Sequence, residues 1–138
     1  MVGRLITRAA AVLSALAVSL VVAGATPAGA AGGAVTISAS GCGGTLFCYK
    51  PSALSVTDGS AVTWTDTTAF PHTVTRCTAA ACSGTGPGTG TDSTFTSASV
   101  SPNGSTAHTF HGTGTYNYYC SIHGYGVMHG TITVKAPK

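Results

Sequence analysis

Tyr116-Asn117-Tyr118-Tyr119-Cys120-Ser121-Ile122-His123-Gly124-Tyr125-Gly126-Val127-Met128 is the most informative stretch of the 138-residue sequence. Side chains alternate across an extended chain, so Tyr116, Tyr118 and Cys120 share one face and Asn117 and Tyr119 the other. The segment therefore reads as a strand with an aromatic inner face, ending on an inward cysteine. His123 follows three residues later and Met128 five after that, and Gly124 and Gly126 let the intervening loop curl back. A thiolate, an imidazole and a thioether can then converge on one point, and one further donor would complete a site.

His72 is the best candidate for that donor. It stands in Phe70-Pro71-His72-Thr73-Val74, at the start of another alternating run, so only a folded sandwich can bring it into range. Two imidazoles and a thiolate in a plane, with a weak axial thioether, are the ligand set of a blue-copper electron-transfer centre. Sulfur favours Cu(I), imidazole and thiolate together also hold Cu(II), and a rigid compromise geometry keeps reorganisation on electron transfer small. Taken singly, each residue has a plainer reading. His72 reads as structural or solvated, Met128 as core filler and Cys120 as an inert buried thiol. The Cys-x2-His-x4-Met spacing with Phe-Pro-His upstream removes most of that plainness, and points to one copper ion on His72, Cys120, His123 and Met128. His108 and His111 have no ligand spacing and read as surface or structural. His129 follows Met128 directly and is expected on the opposite, exposed side.

Outward from this segment, short alternating runs recur at Val35/Ile37, Leu54/Val56, Val62/Trp64, His72–Arg76, Ser93–Thr96, Thr106–Phe110, Thr115–Cys120 and Thr131–Lys135. Each reads as a strand with one apolar face. Asp58-Gly59, Pro102-Asn103-Gly104 and Gly112–Gly114 punctuate them as turns. The pattern predicts an all-β, two-sheet sandwich of seven to eight short antiparallel strands. Cys82–Asp92 (CSGTGPGTGTD) reads as a mobile surface loop. The 19 glycines follow from turns, because no phosphate-cradling G-x-x-x-x-G-K or G-x-G-x-x-G unit is present.

Charge narrows the function. Only 7% of residues are charged, against 43% hydrophobic, and the net charge of +3 includes Arg4 and Arg8. Beyond them four basic residues face three acidic ones without a basic run, which excludes an electrostatic nucleic-acid surface. Arg4 and Arg8 form a positive n-region, Ala9–Ala25 is apolar, and Ala28-Gly29-Ala30 offers the small-x-small pattern of signal cleavage. The apolar run is short of the ~20 residues a spanning helix needs, so stable membrane insertion is not expected. Residues 1–30 are thus read as a secretory signal peptide and 31–138 as the functional domain, secreted or in the cell envelope. Outside the cytosol disulfides persist. The simplest pairing is Cys42–Cys48 and Cys77–Cys82, although four cysteines allow three connectivities. Cys120 is then left over, as a metal ligand requires.

Three stretches are similar to the plastocyanin-like cupredoxins. They are Pro51-Ser52-Ala53-Leu54-Ser55-Val56-Thr57-Asp58-Gly59-Ser60-Ala61-Val62-Thr63-Trp64, the tripeptide Phe70-Pro71-His72, and Thr109–Cys120 with its Cys120, His123, Met128 spacing. The resemblance runs from about Val35 to Val134. It implies a Greek-key sandwich, copper on the four residues above, and His123 at an exposed edge passing electrons to a docked partner. It also implies an apolar rim from Phe70, Pro71, Tyr125 and Val127, with Tyr119 on a more remote route. Thr73 stands where the family often has Asn; its N–H is expected to reach the Cys120 sulfur and its hydroxyl Ser121. Ile122 replaces a common Pro and Val127 a common Gly. Three acidic residues make no acidic docking patch, so a photosynthetic partner is not implied.

The function read from these observations is that of a monomeric, exported one-electron carrier using a type 1 Cu(I)/Cu(II) ion, with redox proteins as partners. The alternative is a copper protein that buffers or delivers the ion without redox shuttling. An enzyme is not expected: Tyr119 and Ser121, not His, flank Cys120. A sandwich that has lost its metal is disfavoured by four ligand types in register.

Overall fold

In the computed structural model, which describes residues 31–138, the alternation of the sequence becomes nine strands. They are β1 (Gly33–Ser38), β2 (Cys48–Lys50), β3 (Ala53–Thr57), β4 (Ala61–Asp66), β5 (His72–Arg76), β6 (Ser97–Val100), β7 (Ser105–Thr109), β8 (Gly114–Tyr119) and β9 (His129–Lys135). The expected signal segment, residues 1–30, lies outside the described residues. Among those described, no helix is long and apolar enough to cross a membrane.

The strands form two sheets, ordered β2-β1-β4-β7 and β3-β9-β8-β5-β6. The all-β sandwich is as expected, while the count exceeds seven to eight by the three-residue β2. That strand runs only from Cys48 to the residue before Pro51, too short for a period to be legible in it. Two pairings depart from the all-antiparallel expectation: β1 runs parallel to β4, and β3 parallel to β9. The chain leaves the four-stranded sheet between β2 and β3 and returns to it between β3 and β4, so the connection within each parallel pair passes through the other sheet. That is the Greek-key crossing, and local patterning does not encode it.

The core lies between the sheets. β4 alternates strictly, burying Val62, Trp64 and Asp66, and β8 buries Tyr116 and Tyr118 ahead of the buried Cys120. Trp64 has no exposed surface and sits among Tyr118, Phe95 and Phe110, at ring centroid distances of 5.6, 6.1 and 6.4 Å.

Cys82–Asp92 lies at the surface, as read from the sequence, but is hydrogen-bonded to β8. Gly90 N donates to Thr115 O at 2.8 Å and Asn117 N to Pro87 O at 3.2 Å, so the loop flanks β8 where the short β5 pairing has ended. Gly90 is required there, because a methyl group would overlap the Tyr116 ring. Arg76 caps the same ring at 5.0 Å and donates to the Gly90 and Asp92 carbonyls. The Cys77–Cys82 disulfide closes the start of the loop, and the other bridge is Cys42–Cys48, the local pairing.

Ser93–Thr96 is not a strand; pairing begins at Ser97, opposite Thr75. Asp92 is the cause. Its carboxylate is buried and accepts from the Thr94 N–H and hydroxyl, turning the chain so that Phe95 enters the core from a bend. It also accepts from the His111 N–H at 3.1 Å and lies 2.9 Å from His108 Nε2, giving His108 a structural role. Burial alone would raise the Asp92 carboxyl. Hydrogen bonds from the Thr94 hydroxyl, His108 and the His111 and Thr94 N–H groups outweigh it and hold the group well below the usual carboxylate range. A depressed folded-state value means the stabilisation is complete above the unfolded value of about 3.9 and fades as pH falls toward the folded one. Asp92→Ala is expected to cost about 2 kcal/mol at pH 7 through unpaired buried donors. Measured as melting temperature against pH, the gap to wild type should narrow below about pH 4; a constant gap contradicts this role.

Candidate metal centre

The site is built at one end of the sandwich by three chain segments. Register brings them together: Thr75 pairs with Tyr119 and Arg76 with Tyr118, so the end of β5 pairs with the end of β8 and the start of β5 runs on beside the residues that follow Tyr119. His72 is the first residue of β5 and is fully buried. Cys120 directly follows β8 and is equally buried. The loop between β8 and β9 then curls on its own backbone. Gly124 N donates to Cys120 O, Val127 N and Met128 N donate to Gly124 O, and Cys120 N donates to Met128 O at 3.0 Å. Gly124 takes a φ of +85°, which few side chains tolerate, and this allows the turn.

His72, Cys120 and His123 are thereby gathered, with one donor atom of each within 4.8 Å of the others. Cys120 Sγ lies 3.8 Å from His72 Nδ1 and 3.3 Å from His123 Nδ1. A first-row metal with bonds of about 2.3 Å to sulfur and about 2.0 Å to nitrogen spans roughly 3.7 Å between such atoms in a trigonal plane. The donor set and its spacing therefore fit copper. Met128 is fully buried in the same region, and its neighbour His129 is exposed as expected. His129 Nδ1 lies 2.8 Å from the Tyr125 carbonyl.

Around the donors the hydrogen bonds are specific. The Thr73 N–H points at Cys120 Sγ at 3.4 Å, and the Thr73 hydroxyl lies 3.0 Å from Ser121 Oγ while accepting from Ser121 N at 2.8 Å. Both contacts were expected of Thr73. Thr68 was not identified from the sequence. Its hydroxyl lies 3.0 Å from His72 Nε2 and 3.2 Å from the Phe70 carbonyl, and Asp66 Oδ1 accepts from its N–H at 2.7 Å. The only signal for it is the Asp66-Thr67-Thr68 turn composition four residues ahead of His72. Burial holds the His72 imidazole below the ordinary histidine value, with Asp66 opposing and His123 adding to the effect. The ring is therefore neutral at pH 7, as a ligand must be. Tyr49, another residue without a sequence signal, packs its ring at a tilt against Tyr118 at 4.7 Å and 59° and donates its hydroxyl to the Thr73 carbonyl. Burial, with Cys120 and Tyr118 adding to it, pushes the Tyr49 phenol far above its usual range, so it remains a neutral donor.

The end of the molecule beyond these donors is apolar. The exposed large hydrophobic side chains of the described residues are Leu46 (77%), Phe70 (55%), Ile122 (54%) and Val127 (36%), all on loops of the site. Phe70 and Val127 were expected there. Leu46 and Ile122 are additions, and Tyr125 is half-buried, its hydroxyl 3.0 Å from Thr85 Oγ1.

Comparison with known proteins agrees with this geometry. Residues 35–135 match the family described as copper binding proteins, plastocyanin/azurin family. A plastocyanin of Scenedesmus fuscus is 31% identical over 87 residues, covering 63% of this chain and 86% of its own. A purple cupredoxin from Nitrosopumilus maritimus is 25% identical, with a TM-score of 0.55 over 75% of this chain and 99% of that one. Amicyanin from Paracoccus versutus shares the fold at 19% identity, with a TM-score of 0.51 over 80% of this chain and 86% of its own. The chain therefore belongs to the plastocyanin/azurin family of copper binding proteins.

Proposed function

We propose that residues 31–138 are the mature form of an exported one-electron carrier, cleaved from the signal peptide 1–30. In this reading one type 1 copper ion would be held by His72, Cys120, His123 and Met128. The observation that carries it is the convergence of one donor atom from each of two imidazoles and one thiol within 4.8 Å, at the end bearing the exposed apolar side chains. Copper bound there supplies one-electron exchange between Cu(I) and Cu(II).

The chain's own residues prepare that exchange. His72 Nε2–H donates to the Thr68 hydroxyl, which itself donates to the Phe70 carbonyl, and this leaves Nδ1 with its lone pair free. The Thr73 N–H stabilises negative charge on the Cys120 sulfur. Buried Tyr118, Met128 and Phe47 exclude water from the donors. His123 is half-buried, so its outer edge is the point of contact for a redox partner seated on Leu46, Phe70, Ile122 and Val127. That rim carries no charge, which favours a partner with an apolar, uncharged docking face. Half-buried Tyr119, next to Cys120 and on the opposite face of β8, marks the second route.

Copper buffering is the competing reading. A delivery protein needs exposed donors that exchange the ion, whereas here His72, Cys120 and Met128 have no exposed surface. Shuttling is therefore favoured over delivery. Only the folded chain presents the assembled site, so copper stabilises it by mass action. At a free copper level 100-fold above Kd the gain is about 2.7 kcal/mol, or at least roughly 10 °C in melting temperature for a domain of this size. Equal melting temperatures with and without saturating copper contradict the preformed site. Titration of the loaded protein with ascorbate should consume one electron per chain, and the exported form should begin at or near Ala31 by mass.

A further inference from the structure

We propose that Phe47, held by the ring that the Cys42–Cys48 disulfide closes, is a positioning residue for the imidazole of His123. This rests on the copper-site reading above. The two imidazoles are secured unequally. His72 is anchored without help: it begins β5, is fully buried, and has Thr68 Oγ1 3.0 Å from its Nε2. His123 sits in a loop and is half-buried. Among the described residues its ring has one hydrogen-bonding neighbour, Cys120 Sγ. What fixes the plane of that ring is packing, with Phe47 at 4.7 Å and 45° and His72 at 4.7 Å and 39°.

Phe47 is placed to act on both rings. It meets His72 edge-on at 4.8 Å and 73°, and Phe70 at 5.5 Å and 61°. It is only 8% exposed although Leu46 beside it is 77% exposed, so the loop drives this one ring inward. The hydrogen bonds that shape the loop stay within it or its flanking strands. Thr45 donates to the Cys42 and Phe47 carbonyls, and Lys50 Nζ to Ser40 O. Gly43 and Gly44, with φ of +62° and +101°, give this stretch backbone freedom. The covalent closure from Cys42 to Cys48, the residue after Phe47, is what removes that freedom. The disulfide thus acts on the metal site through one aromatic ring.

Two variants test this: Phe47→Leu, which shortens the ring contact but keeps an apolar side chain, and Cys42→Ser/Cys48→Ser, which opens the loop with Phe47 in place. The first readout is the apo-protein, by NMR of the histidine rings. In both variants the His123 ring resonances should broaden, whereas those of His72, although shifted by the altered ring current, should stay sharp, and Phe47→Tyr should restore the wild-type pattern. The second readout is the rate at which copper-loaded protein yields its metal to excess chelator. Loss of an outer contact of a metal ligand typically costs 10–100-fold in affinity, so release should accelerate about 10-fold or more. His123 resonances as sharp as in wild type and an unchanged release rate in both variants overturn the proposal. If wild type itself takes up no copper, the copper reading fails, and the apo-protein NMR still decides the role of Phe47.

Discussion

Replacing Cys120 by Ser is expected to abolish the intense visible absorption of the copper-loaded protein while leaving the sandwich folded. The band requires charge transfer from a polarisable thiolate to Cu(II), and a serine oxygen is hard and keeps its proton at neutral pH. The fold survives because Ser matches the size of Cys, and because the buried hydroxyl would find partners in the Thr73 N–H and the His123 Nδ1. Circular dichroism of the variant should therefore overlay wild type. Copper affinity should fall by more than the 10–100-fold typical of outer contacts, because a ligand itself is lost. A variant that keeps the intense band refutes the assignment of the thiolate.

The largest stability effect is expected at Trp64. This side chain has no exposed surface, lies mid-strand in β4, and packs against the Tyr118 ring of the opposite sheet. Trp64→Ala leaves a cavity that strands of two paired sheets cannot collapse to fill. Such substitutions cost about 3–5 kcal/mol, against a total stability of about 5–15 kcal/mol for a domain. At 4–8 °C per kcal/mol the melting temperature should drop by at least about 12 °C. Trp64→Phe, which keeps an aromatic ring against Tyr118, should lose well under half as much. A Trp64→Ala protein that melts within a few degrees of wild type contradicts the placement of the core.

What was legible in the sequence follows from which constraints are local. The strand Thr115–Cys120 was readable because its inward face is aromatic at every second position, and β8 buries Tyr116 and Tyr118 on that period. The ligand loop was readable because Cys120, His123 and Met128 lie within nine residues. Joining His72 to them needed its place at a strand start, and the resemblance of Phe70-Pro71-His72 to a known tripeptide. Illegible features depend on contacts between distant segments. The parallel pairs β1/β4 and β3/β9 arise from crossings between sheets, which leave no local period. Asp92 looked like the end of a flexible Gly-rich stretch, yet its buried carboxylate organises the bend that displaced the expected strand Ser93–Thr96 to Ser97–Val100. Phe47 carried no signal because it lies between two cysteines, in a loop whose fold is set by their bond and by rings far along the chain.

Visible absorption and EPR of residues 31–138 after one equivalent of Cu(II), then after ascorbate, test the central claim most directly. The account predicts an intense blue band with narrow copper hyperfine splitting, both lost on reduction and recovered on reoxidation. A weak blue colour with ordinary wide splitting would show that the Cys120 sulfur does not bind copper, and would contradict the electron-carrier site built here on His72, Cys120, His123 and Met128.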